Sequence, residues 1–184
     1  LTMVLVLFGA FYLTFDTSLG HFYGFTFRKF NMKPYLTLLG IALFFIIIGS
    51  FFGDLQSYYP RYKVDHGLSF AVHHEVPTWV SVLIYESTYA TSFITVEFIF
   101  RGFLIYAFVK YFGPYAILPM VATYCFLHFG KPATETLSSI FGGYVLGIIA
   151  LKNKNIRCGV MVHVGGAWSK ELIGFLQTRF LIKF

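Results

Sequence analysis

Residues 34–52, PYLTLLGIALFFIIIGSFF, run for nineteen positions without a charged side chain. As a helix rising 1.5 Å per residue, such a run crosses a hydrocarbon core about 30 Å thick. No water is available there to satisfy backbone N–H and C=O groups, so the chain must satisfy them internally. Further apolar segments cover residues 1–15, 78–112, 115–129 and 134–151, and a last one starts at 157. Hydrophobic residues make up 57% of the chain and charged residues 12%, about half the charged share of a soluble domain. So few charges would not cover a water-facing surface. The expectation is an all-α, polytopic transmembrane helix bundle of about six to seven helices, with the lipid bilayer as its surroundings.

The connections carry the polar residues. Residues 16–33 form an aromatic-rich loop ending in Arg28, Lys29 and Lys33, and Pro34 suits the first turn of the next helix. The longest polar stretch is 53–77, where Tyr58, Tyr59 and Tyr62 suit a membrane interface. The apolar region 78–112 is too long for one upright span. It fits either one tilted helix with an amphipathic extension or two helices broken near Ser87–Ser92. Gly113-Pro114 ends that region, and Gly130-Lys131-Pro132 stops the following helix. Gly143 and Gly147, four apart on the next helix, let a neighbouring helix approach closely. With no internal repeat, residues 1–184 read as a single membrane-embedded domain. The opening at Leu1, within an apolar run, leads us to expect a preceding N-terminal portion.

The net charge is +6. The basic residues lie at the ends of apolar segments rather than among surface aromatics, so the positive-inside rule explains them and nucleic acid is not an expected partner. In a six-helix count Lys and Arg at 28, 29, 33, 110, 152, 154 and 157 fall on one side, expected to be cytoplasmic; Arg61, Lys63 and Lys131 fall on the other. That count sets His128 near the outer end of its helix and His163 nearer the inner end of its own, which calls for a re-entrant segment or a shifted boundary. Cys125 and Cys158 fall within apolar segments, where cysteine behaves as a small hydrophobe and not as a disulfide framework or a nucleophile.

Ionisable residues inside such segments cost free energy and need a partner or a task. Glu97 and Arg101, four apart, share a helix face and can pair. Such a pair can anchor a fold, or it can hold a carboxylate that acts as a general base toward water. His128 and His163 stand on two further segments; each alone is commonly structural, but imidazole also exchanges protons near neutral pH or binds a metal. Glu135, in the first turn of the helix after His128, suits a helix N-terminus and could also serve as a substitute acid. Glu86 lies three turns before Glu97. His73-His74-Glu75 reads as a solvated loop rather than a metal site, and Lys170 and Glu171 read as interfacial.

VEFIFRG, YCFLH and GGYVLGIIALKNKNIRCGVMVH, in that order on apolar helices, resemble the CPBP family. This is the CAAX-protease and bacteriocin-processing (Abi) family that includes the type II CAAX prenyl endopeptidases. The family pattern is EExxxR, FxxxH and HxxxN on successive membrane helices, and the resemblance covers about residues 90–175. It implies an intramembrane protease in which Glu97 and His128 activate water, Arg101 holds Glu97, and His163 stabilises the oxyanion. Val96 stands where the pattern has its first glutamate, Tyr124 where it has phenylalanine, and Ala167 where it has asparagine. No cofactor is expected; the alternative is zinc held by Glu97, His128 and His163, although HExxH is not in the sequence.

The leading expectation is therefore an endopeptidase acting on a membrane-associated or lipidated peptide, in a multi-pass protein of the bacterial cytoplasmic membrane. One alternative, suggested by Val96 and Ala167, is a catalytically impaired relative acting as scaffold or bacteriocin-immunity factor. Another is a small transporter, since Glu and His in lipid also mark proton routes.

Overall fold

The computed structural model describes residues 2–26 and 31–180. Arg28 and Lys29, counted above toward orientation, lie outside the described residues. Every regular element described is helical. In order they are α1 (Thr2–Phe11, continued by a π-turn Tyr12–Asp16), α2 (Lys33–Gly49), α3 (Gly53–Tyr58), α4 (Arg61–Val64), α5 (Gly67–His73) and α6 (Thr78–Glu97). A π-helical segment, Phe98–Leu104, then leads into α7 (Ile105–Phe112), followed by α8 (Ile117–Phe126), α9 (Ala133–Asn153) and α10 (Arg157–Phe180). Among the described residues, three helical stretches are long and apolar enough to cross a membrane: Thr2–Leu19, Thr78–Phe126 and Ala133–Asn153. The shorter Lys33–Gly49 is also apolar.

The region 78–112 does not break near Ser87–Ser92. It stays helical, loosens into the π-segment from Phe98, and turns at Gly113, whose φ of +54° favours glycine. The polar stretch 53–77 is not an open loop either; it winds into α3, α4 and α5.

The chain divides into two compact units. The first comprises Leu1–Tyr35 and Ser92–Met161. Its core gathers Phe100, Ile105, Ile117, Met120, Val121 and Tyr124, with Val96 packed against them. The glycine pair on α9 sets the spacing of that core. A Cβ at Gly147 would stand 2.8 Å from Met120 Cε and 3.0 Å from Ile117 Cγ2, and one at Gly143 3.0 Å from Tyr124 Cδ1. A second cluster forms around Tyr23, Phe98, Tyr106 and Ile156. There Tyr23 donates its phenol to Asp16 at 2.8 Å, Lys110 pairs with the same carboxylate at 2.7 Å, and Ile156 N–H bonds the Gly24 carbonyl at 3.0 Å.

The second unit comprises Leu36–Thr91 and Val162–Phe184. Its short helices are tied down by polar contacts. Glu171 accepts backbone N–H bonds from Arg61 and Tyr62 at 2.7 and 3.3 Å. Tyr62 donates to Ser81, which donates to the Gly67 carbonyl. Gln177 donates to the Ser50 hydroxyl at 2.7 Å.

Candidate active site

In the first unit the chain of contacts begins at Glu97, the last residue of α6, and Arg101, in the π-segment that follows. Oε1 and Nη1 are 3.0 Å apart and both side chains are fully buried. An isolated charge would be prohibitive here, so each ion makes the other tolerable. π-helical segments often occur at functional sites, because the extra residue per turn re-aims the side chains around it. The segment is seated by Gly102, where a Cβ would come within 2.7 Å of the Tyr23 carbonyl oxygen.

Arg101 does not end the chain of contacts. Its guanidinium carbon lies 3.9 Å from the ring centroid of Tyr124, a cation–π arrangement in a desolvated setting. The Tyr124 ring in turn lies 4.6 Å from the His128 ring, one helical turn on. Gly143 makes room for both partners of the stack: a Cβ there would press on Tyr124 and stand 3.7 Å from Arg101 Nη2. Gly159, in the first turn of α10, leaves space for the Glu97 carboxylate, which an added Cβ would strike.

His128 is nine-tenths buried, in the turn that follows α8. Its Nδ1 lies 3.1 Å from the Tyr124 carbonyl oxygen. A carbonyl only accepts, so Nδ1 donates, and when the ring is neutral Nε2 is the nitrogen that can take a proton. The Thr136 hydroxyl donates to the His128 carbonyl at 2.6 Å and fixes the turn from the other side. Glu135 is paired with Lys131 at 3.0 Å, which commits its carboxylate to a neighbouring cation.

The structure therefore joins Glu97, Arg101 and His128 through Tyr124 and sets Glu135 on the turn beyond. His163 belongs to the second unit, half-buried on α10 and four residues before the buried Ala167. Tyr124, Gly143 and Gly159 were not assigned to the site from sequence. Tyr124 had a usable signal, since an aromatic four residues before a histidine on a helix can stack on it. The described residues contain no group of three or more His, Cys, Asp or Glu placed to hold a metal ion. Arg101 also places a positive charge against Glu97, which opposes cation binding there.

In comparison with known proteins, the family model described as type II CAAX prenyl endopeptidase Rce1-like matches residues 77–168, half of the chain. Among curated proteins and solved structures nothing matches.

Proposed function

This chain belongs to the Rce1-like type II CAAX prenyl endopeptidase family, and from that premise we propose that it hydrolyses a peptide bond of a lipidated or membrane-associated substrate by histidine- and glutamate-dependent activation of water. At the family level it is a CAAX-protease-like membrane endopeptidase whose substrates are membrane-associated proteins or peptides. The apolar helices agree with an integral membrane protein.

The observation that carries the finer reading is the continuous stack Glu97, Arg101, Tyr124, His128. Nothing in an ordinary apolar core requires a fully buried ion pair to end against a histidine with a defined tautomer. In this proposal Nε2 of His128 takes the proton of the attacking water. Glu97, which has no exposed surface in this conformation, acts through Arg101 and Tyr124 by fixing the charge and angle of the rings. His163 is proposed as the partner of the developing oxyanion on the strength of the resemblance alone. Glu135, in the first turn of α9, is proposed as an auxiliary acid. Multi-pass insertion in a bacterial cytoplasmic membrane completes the proposal.

A second reading has its own support. Val96 packs into the apolar cluster where the family pattern has a carboxylate, which favours a scaffold that keeps the fold without the chemistry. Purified protein offered a quenched prenylated peptide separates the two. Cleavage that falls about 10²-fold or more in His128→Ala supports the enzyme; no cleavage by the unmodified chain supports the scaffold.

A further inference from the structure

The second unit holds a cavity of about 740 Å³, within the range of pockets that take small ligands. Two helix stripes wall it. Thr78, Val82 and Glu86 line it from α6, at spacings of four; Trp168, Leu172 and Phe175 line it from α10, at spacings of four and three. The walls are largely apolar, and two carboxylates, Glu86 and Glu171, stand among them. Glu171 is already occupied by the backbone N–H groups of Arg61 and Tyr62. Glu86 is not: its Oε2 is buried and has no hydrogen-bond partner. A buried carboxylate oxygen in apolar surroundings calls for an N–H or O–H donor. Lys63 and Arg179, both exposed, line the same cavity and supply positive charge.

A complementary ligand thus needs three parts: an aliphatic chain for the walls, an N–H-bearing cation for Glu86, and an anion for Lys63 and Arg179. Phospholipids with a primary ammonium headgroup carry all three, and a bilayer presents them directly. We propose that this cavity is a binding site for an aminophospholipid, with its ammonium on Glu86, its phosphate on Lys63 and Arg179, and an acyl chain along Val82, Leu172 and Phe175. Phosphatidylcholine has the same anion and chain but no N–H, and phosphatidylglycerol has no cation. The site therefore discriminates by headgroup. This inference does not depend on the peptidase proposal.

Trp168 in the wall provides the probe. Trp79→Phe leaves it the sole indole of the full chain, which has two tryptophans. The detergent-purified protein is titrated with doxyl-labelled phosphatidylethanolamine, its N-methyl and N,N-dimethyl derivatives, phosphatidylcholine and phosphatidylglycerol, all with the same chains. Phosphatidylethanolamine is expected to quench Trp168 at about tenfold lower concentration than phosphatidylcholine, as a charge-assisted hydrogen bond gives. The methylated series should fall between them, and Glu86→Gln should remove the difference. Equal quenching across the headgroups, or a preference that survives Glu86→Gln, would overturn the proposal. The methylated series tests it on the unmutated carboxylate even where the Glu86 variant does not fold.

Discussion

The two units place carboxylates in apolar surroundings by different means. In the first, the acids are matched by side chains: the buried Glu97 by Arg101, the buried Asp16 by Tyr23 and Lys110, and the partly buried Glu135 by Lys131. In the second, the buried Glu171 is matched by the backbone N–H groups of Arg61 and Tyr62. A side-chain partner can be removed by a single substitution, and its removal strands a charge. A backbone partner is present whatever residue occupies the position. The ion pairs of the first unit are therefore electrostatically brittle and the Glu171 site of the second is tolerant, and one of the brittle pairs is the one that stacks toward His128.

Arg101→Ala puts that contrast under most strain. It removes the cation that faces the buried Glu97 carboxylate and should cost about 3–5 kcal/mol, read from denaturant unfolding of the detergent-solubilised chain. Adding Glu97→Leu should recover much of that loss, because an apolar pair replaces a buried ion pair at little cost. If the single variant unfolds with the unmodified chain, the pair is not the support described here.

Gly159→Ala should cost about 1–3 kcal/mol, because the new methyl drives the Glu97 carboxylate from its place. The comparison sharpens in a Glu97→Ala background, where the penalty should vanish. An equal penalty in both backgrounds would assign it to α10 alone.

Glu171→Gln keeps an acceptor for one of the two backbone N–H groups and should cost about 1–2 kcal/mol, well below the loss at Arg101. A cost matching that at Arg101 would erase the distinction between the units.

Tyr23→Phe should have the smallest effect, about 1 kcal/mol, since Lys110 still neutralises Asp16. Its pH dependence is the more telling signal. Burial and then the hydrogen bond to Asp16 push the Tyr23 phenol well above its ordinary 10.0. The folded state therefore keeps a proton that the unfolded chain releases, so this stabilisation is complete below pH 10 and declines above it. Denaturation midpoints on either side of pH 10 should show a shallower alkaline decline for Tyr23→Phe than for the unmodified chain; identical slopes would remove Tyr23 from the account.

The same contrast explains what could be read from the sequence. The all-helical class followed from uncharged runs such as 34–52, because lipid leaves the backbone no other partner within the segment. Glu97 with Arg101 was legible because both partners are side chains four residues apart. The close approach at Gly143 and Gly147 was legible from spacing. The role of Glu171 was hidden, because its partners are amides that every residue carries, and so it read as an interfacial charge. The helices of 53–77 were hidden for a related reason: Glu171 and Ser81 tie them down from other parts of the sequence, and local composition showed only polarity. The π-segment after Glu97 left no local sign, since its seat is the backbone carbonyl of Tyr23, far away in the chain.

A double-mutant cycle on peptide hydrolysis tests the central claim, that Glu97 and His128 work as one unit through Arg101 and Tyr124. The rate of prenyl-peptide cleavage is measured for the unmodified chain, Glu97→Gln, His128→Ala and the double variant. A double variant no slower than the worse single one is the predicted result, since either loss disables the same device. Losses that multiply, or a Glu97→Gln variant that cleaves at the full rate, would contradict it.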